Sequence, residues 1–299
     1  MAEHIEHMKD GIYEKVMSKE FADKLMEAIE AKKVWAERDD ADAYEATGYL
    51  SSYLEKLIRL CLKDIADRNT EAVLSDEIEL TNQLVEMLAE RLPDLGHGHS
   101  VVKNQFLLKS LEHVANKTSP RKWESPDTSL TKSFLFTNSH NDTSMVSELR
   151  KEIMSADRID FLVSFIRFSG LALLLPYLRD FTNKGGHLRV ITTTYMGATD
   201  PKAVVELAKL PNTEIHISYN VKETRLHAKS YIFHRDSQFS TAYRGSSNLS
   251  HAAIAEGLEW NMKITEQDMP SIMEKMTATF ETYWNSDEFQ EFHEEQKDE

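Results

Sequence analysis

From Ile159 onward, short apolar runs rich in β-branched residues alternate with stretches of helical period, and few folds accept that alternation. Ile159–Phe165 and Leu188–Thr194 are strand-like, and Gly170–Phe181 between them reads as a helix closed by Asn183, Gly185 and Gly186. Pro201–Leu210 is a second helix, ahead of a strand at Glu214–Tyr219. Short strands separated by helices indicate βαβ units and a mostly parallel sheet covered on both faces. Loops at the carboxyl ends of such strands commonly hold ligands. Three more strands are expected at Ala228–Phe233, Thr241–Gly245 and Glu259–Ile264. A helix is expected from the N-cap residue Ser250 to Glu256, ended by Gly257.

The preceding residues have another character. Ala22–Ala31, Tyr44–Ala66 and Asp76–Leu92 carry apolar residues at three- and four-residue spacing, and Val101–Ala115 reads as one more helix. Cys61 lies three or four residues from Leu57, Ile58 and Ile65, which predicts a buried helix face. As the only cysteine it forms no internal disulfide and builds no cysteine-rich zinc site. Gly96-His97-Gly98-His99 has no carboxylate or cysteine beside it and reads as a solvated turn rather than a metal site. Lys117–Asp142, rich in Ser, Thr, Pro and Asn, reads as a linker or irregular lead-in, and Gln267–Glu299 as a helical, acidic tail with a frayed end.

No apolar run approaches the length that crosses a bilayer, and Met1-Ala2-Glu3-His4 does not open a basic n-region. A cytoplasmic chain without a membrane partner is expected. The net charge of −15 argues against a protein that coats itself in nucleic acid, but the charge is uneven. Lys151–Met262 holds 13 Lys and Arg against 11 Asp and Glu, a net +2, whereas Met1–Arg150 carries −9 and Lys263–Glu299 carries −8. A phosphate-binding groove fits the middle segment.

That segment also holds the chemistry. In a strand through Leu226-His227-Ala228-Lys229, His227 and Lys229 project to one face. Gly245-Ser246-Ser247-Asn248-Leu249-Ser250 is a strand end entering a helix N-terminus, where backbone N–H groups and short polar side chains bind anions. Glu259 stands eleven positions after Asn248. These residue types suffice for phosphodiester cleavage without a metal or cofactor. Neutral His227 attacks phosphorus and forms a phosphohistidine, and Glu259 fixes its tautomer. Lys229 and Asn248 hold the non-bridging oxygens, and Ser246 adds a hydroxyl or orients a partner. The leaving alkoxide needs a proton, and this chain supplies one such set, so a twofold homodimer would bring a second His227 to the same phosphate.

His227-x-Lys229, Gly245-Ser246-x-Asn248 and Glu259 resemble the HKD signature of the phospholipase D superfamily, above all its single-copy bacterial nucleases. Phe161–Gly170 and Glu259-Trp260-Asn261 extend the likeness to the phospholipase D-like module at the N-terminus of some superfamily II helicases of restriction and phage defence. The resemblance covers roughly 144–264. It implies an α/β fold with a mixed sheet flanked by helices, here preceded by an all-helical N-terminal region. It also implies a homodimer, no metal, DNA as the usual substrate and a possible helicase partner. The expected organisation is a helical region at 1–120, a lead-in at 121–143, a catalytic domain at 144–265 and an acidic C-terminal helix at 266–299. One departure stands out: the signature places an aspartate five positions after the lysine, where this chain has His234, and the nearest acid is Asp236, read as a structural aspartate after a longer turn or as a loop residue.

Other residues divide between two readings. Arg167, Arg225 and Arg244, near strand ends, are candidates for DNA phosphate contacts or are solvated surface charges, and Tyr195 and Thr193 in a post-strand loop are similarly open. Trp260 reads as packing rather than base stacking, because it neighbours a strand interior, and His234 is a secondary candidate for substrate contact. The competing functions are a catalytically silent module that binds nucleic acid or docks a helicase, and phospholipid hydrolysis. The latter would favour an apolar interfacial surface or a basic amphipathic helix, and the flanks are acidic.

Overall fold

A computed structural model describes residues 5, 8–40, 42–68, 71–92, 97–112, 124–137, 143–219, 226–256 and 259–293. The chain divides into two units, Met1–Leu111 and Glu112–Glu299. In the first, α1 (Lys19–Glu30), α2 (Ala43–Asp67) and α3 (Val73–Ala89) follow the periodic stretches, and Ser18 caps α1 through its hydroxyl, which accepts from the Phe21 N–H at 3.2 Å. Two expectations fail here. Cys61 is exposed, because the α2 stripe Leu50, Leu54, Leu57 and Ile58 on which it sits is itself exposed. Residues 101–112 form no helix. Asn82 takes both backbone groups of Val101, its amide donating to the carbonyl at 3.1 Å and its Oδ1 accepting from the N–H at 2.7 Å, and Gln105 sits at φ +50°, so the chain cannot wind there. His97–His99 is a short 3₁₀ turn.

The second unit is one eight-stranded sheet in the order β1-β7-β6-β5-β2-β3-β4-β8. Its strands are β1 (Phe134–Phe136), β2 (Arg158–Val163), β3 (His187–Thr193), β4 (Thr213–Ser218), β5 (Lys229–His234), β6 (Thr241–Gly245), β7 (Asn261–Thr265) and β8 (Gln290–Glu291). Its helices are α4 (Met145–Ser155), α5 (Phe168–Asn183), α6 (Pro201–Ala208) and α7 (Pro270–Trp284). The sheet is mixed, which corrects the mostly parallel expectation: only the β2–β3 and β3–β4 pairings are parallel, since only there does a helix carry the chain back across a face. Strand β1 falls inside the stretch read as irregular, and β8 inside the tail read as helical; both run antiparallel to their neighbours. The helix expected after Ser250 is a π-turn, Ala252–Glu256, although Ser250 does accept from the Ala253 N–H at 3.3 Å. The frayed end expected at 294–299 lies outside the described residues.

Both sheet faces are covered, so β2 is buried along its length from Ile159 to Val163, with Asp160 the one polar residue in that run. Ile159, Phe161 and Val163 point into the larger core with Leu149 and Ile153 of α4, Leu171, Leu174 and Leu178 of α5, and Leu207 of α6. Leu162 and Ile232 face α7, against Met273 and Phe280.

Each face also buries charge. On the α4 side, Lys263 is fully buried and its ammonium lies 2.9 Å from both the Glu148 and Glu152 carboxylates. Tyr243 donates to Glu152 at 2.7 Å, and Arg235 pairs with the other Glu152 oxygen at 2.6 Å. Thr128 and Asp127, from the lead-in, donate backbone N–H groups to Glu148 and tie that segment to the domain. On the α7 side, the Arg189 guanidinium bridges Asp160 at 2.7 and 2.8 Å to Glu281 at 2.6 Å.

Burial pushes the Glu152 carboxyl up, but Arg235 and Lys263 more than offset it and hold the group below the ordinary carboxylate range. A carboxylate with a depressed folded pKa contributes stability above its unfolded value, about 4.3, that is lost as pH falls through the folded one. Urea unfolding should therefore show stability declining below about pH 4, and Glu152→Gln should flatten that decline. Lys263→Met leaves the buried Glu148 carboxylate without a cation and Glu152 with Arg235 alone, and is expected to cost about 3–5 kcal/mol at neutral pH in the same assay.

Candidate active site

Strands β5, β6 and β7 are consecutive antiparallel neighbours, with Ser230 opposite Arg244 and Gly245 opposite Asn261. The start of β5, the end of β6 and the start of β7 therefore meet at one end of the sheet. The end of β2 joins them, since Val163 pairs with Lys229. His227 precedes β5, Ser246 and Asn248 follow β6, and Glu259 precedes β7, so residues distant in sequence gather around a pocket of about 590 Å³. Its lining comprises His227, Lys229, Arg244, Gly245, Ser246, Asn248, Glu259 and Trp260.

Tight packing carries the turn after β6. A Cβ on Gly245 would lie 2.2 Å from the Trp260 carbonyl oxygen and 2.4 Å from Asn261 Oδ1, so only glycine lets the two backbones approach. Gly170 does the same for α5, where a Cβ would lie 2.5 Å from the Ser250 backbone. Below the turn, the Asn261 amide donates to Ser247 Oγ at 2.7 Å, Ser247 donates to the Ala253 carbonyl at 3.1 Å, and the Tyr231 hydroxyl donates to the Ser247 carbonyl at 3.0 Å. Leu249 bridges to Ile166, and Asn248 Oδ1 accepts from the Phe165 N–H at 3.3 Å, which leaves the Asn248 amide nitrogen available to the pocket.

Lys229 is buried, and its ammonium donates to the His227 carbonyl at 3.1 Å. Burial, and then the Arg244 cation, hold its pKa below the ordinary lysine range, partly opposed by Glu259. The Arg244 guanidinium donates to the Lys229 carbonyl at 3.1 Å. His227 is exposed and Glu259 half-buried, and no hydrogen bond joins them. Three donors and cations thus face one carboxylate and one imidazole, an arrangement that can hold a phosphoryl group beside a nucleophile. Among the described residues no group of three or more His, Cys, Asp or Glu forms a metal-binding cluster.

The remaining candidates separate. Arg167 is bound at 2.9 Å to Asp200, which also accepts from the Phe168 N–H, and does not line the pocket. Tyr195 sits in a 3₁₀ turn, its N–H donating to Thr193 Oγ1 at 3.1 Å, and is likewise outside the lining. Arg225 falls outside the described residues. His234 lies at the other end of β5, roughly 16 Å away at about 3.3 Å per residue, and contacts Asp160 at 2.7 Å on the α7 face. It belongs to the buried ion cluster rather than to the pocket. Asp236 is an exposed turn residue whose N–H donates to Asp157 at 2.9 Å. Trp260 corrects the packing reading: the residue is 66% exposed at the pocket rim. Ser247, Tyr231 and Asn261 escaped sequence reasoning, their only signal being proximity to the motif residues.

Comparison with known proteins finds one family model and several solved structures of similar fold. The cardiolipin synthase, PLD-like domain family matches residues 149–284, ending at the last residue of α7. The matched stretch holds six of the eight strands of the mixed sheet and the helices that flank it, and is similar to a phospholipase D-like domain. Among solved structures, NucT from Helicobacter pylori is 17% identical with a TM-score of 0.43, covering 54% of this chain and 99% of its own. Nuc from Salmonella typhimurium, a phospholipase D family member, is 17% identical with a TM-score of 0.42 and the same coverages. The phosphatidylserine synthase of Haemophilus influenzae Rd KW20 is 9% identical with a TM-score of 0.42, covering 56% of this chain and 41% of its own. No curated protein sequence matches the chain. No described helix is long and apolar enough to cross a membrane.

Two outcomes follow. Gly245→Ala should destabilise the domain by about 1–3 kcal/mol, read by denaturant unfolding, because neither backbone nor Asn261 can retreat freely. A lysine with a lowered pKa sheds its proton at lower pH than usual, so calorimetric binding of inorganic phosphate should weaken as pH rises, beginning below the ordinary lysine value of about 10.4. Lys229→Arg should carry binding to higher pH, since a guanidinium stays charged.

Proposed function

We propose that this chain is a metal-independent phosphodiesterase, a DNA endonuclease that acts through a covalent phosphohistidine in a site shared across a homodimer. The observation that carries the reading is the meeting of His227, Lys229, Asn248 and Glu259 around one pocket of a phospholipase D-like domain. A ring nitrogen of His227 attacks phosphorus as the bond to the leaving alkoxide breaks. Lys229, Arg244 and the Asn248 amide hold the non-bridging oxygens as charge builds on them. The alkoxide takes its proton from His227 of the partner subunit. That imidazole, now neutral, deprotonates a water that attacks phosphorus, the P–N bond breaks, and His227 returns to its starting state. Glu259 supports the imidazolium forms electrostatically. The +2 charge of the central segment suits a phosphate backbone better than the acidic flanks do. Restriction or phage defence beside a helicase is the setting that the sequence resemblance implies.

One observation favours a second reading, a catalytically silent module that binds nucleic acid or docks a helicase: His227 is exposed and unbonded to Glu259. Cleavage of plasmid and single-stranded DNA in EDTA separates the two. Wild type should cleave, and His227→Ala should lose at least about a thousandfold in rate. Cleavage abolished by EDTA, or equal cleavage by the variant, sinks the mechanism; DNA binding without cleavage leaves the silent module. Sedimentation of the wild type should show a dimer at micromolar concentration.

A further inference from the structure

Trp260 is a large exposed aromatic residue on a hydrogen-bonded backbone. Its backbone N–H donates to Ser246 Oγ at 3.2 Å, and its carbonyl accepts from the Ser246 N–H at 3.2 Å and from Ser246 Oγ at 3.4 Å. Gly245 lets that carbonyl approach where any side chain would block it. The backbone is thus clamped while the residue is 66% exposed on the pocket rim. The exposed surface continues through Met262, two residues on along β7, to Leu135, which pairs with Met262 across the β1–β7 ladder. The pocket, about 590 Å³ and open to solvent, has more room than a phosphate needs.

We propose that Trp260 is a stacking platform for the nucleobase beside the scissile phosphate, so that the substrate of this site is an unpaired, single-stranded stretch of nucleic acid. The inference rests on the phosphodiesterase reading above and names its substrate class. A base inside a duplex has both faces covered by its neighbours and cannot lie on an indole, whereas an unpaired base can, whatever its identity. Lys229 and Arg244 grip the phosphate while the ring takes the adjoining base, the pairing of cationic groove and aromatic surface by which single strands are held. The same two cations disfavour the other ligand an indole face attracts, a quaternary ammonium headgroup. In a twofold site, each subunit's Trp260 would flank the shared phosphate and take the base on its own side.

The test compares wild type, Trp260→Phe and Trp260→Ala on a single-stranded oligonucleotide, on the same oligomer made abasic around the scissile phosphate, and on its duplex. Wild type should prefer the base-bearing strand to the abasic one by about tenfold in KM, the scale of one base stacked on an aromatic ring. In Trp260→Ala that preference should fall toward one, and Trp260→Phe should keep most of it. Oligothymidylate should also quench the part of the tryptophan fluorescence that Trp260→Phe removes. This readout needs no turnover, so it tests stacking even if wild type cleaves nothing and the phosphodiesterase reading fails by itself. An unaltered preference in Trp260→Ala, equal use of duplex and single strand by wild type, or absent quenching overturns the proposal. So does a Trp260→Ala chain that sediments as a monomer where wild type is a dimer, which would make the ring a subunit contact.

Discussion

Three adjacent antiparallel strands must begin, end and begin again at one end of the sheet for the pocket to exist. The register of β5, β6 and β7 imposes this, with Ser230 against Arg244 and Gly245 against Asn261. A slip of one residue would turn every side chain of a strand to the opposite face. Lys229 would then leave the pocket, and Tyr231 and Tyr243 would leave the core. The register is secured by apolar packing on both faces and by the contact at Gly245, where the β6 end touches the Trp260–Asn261 backbone.

The sheet carries more buried charge than its apolar pattern suggests. Lys263, Glu148, Glu152 and Arg235 form two cations against two carboxylates under α4, with Tyr243, Thr241 and Thr128 adding hydrogen bonds. Buried ions are tolerated when every partner is present, and costly when one is missing. The cluster joins α4, β5, β6, β7 and the lead-in, which is why residues 127 and 128 are held to the sheet although their sequence looks like a linker. The α7 cluster around Arg189 does the equivalent on the other face and uses His234, the residue standing where the HKD pattern has an acid.

The site's electrostatics are local. A chain of net charge −15 gathers Lys229 and Arg244 at one sheet end, and burial, then the neighbouring Arg244 cation, holds Lys229 below the ordinary lysine range. Glu259 keeps that concentration of charge from being purely cationic. Asn248 is polarised by the Phe165 N–H on one side and turned to the pocket on the other, a consequence of the contact between the β2 and β6 ends.

The sequence by itself determined the elements whose signal is local: β6 at Thr241–Gly245 and β3 and α6 to within a residue or two, because period, β-branching and flanking Gly or Pro are properties of a few adjacent residues. The motif residues were legible too, since His227-x-Lys229 and Gly245-Ser246-x-Asn248 are short spacings. Tertiary structure decided the rest. Phe134–Phe136 and Gln290–Glu291 become strands only because a sheet edge offers them partners, and nothing in three or two residues announces that. Strand direction, the location of His234 on the far face, the exposure of Cys61 and the outward ring of Trp260 depend on what packs against what, and packing partners lie far away along the chain. The pocket is therefore written in the sequence as a set of residue types but assembled only by the register of the folded sheet.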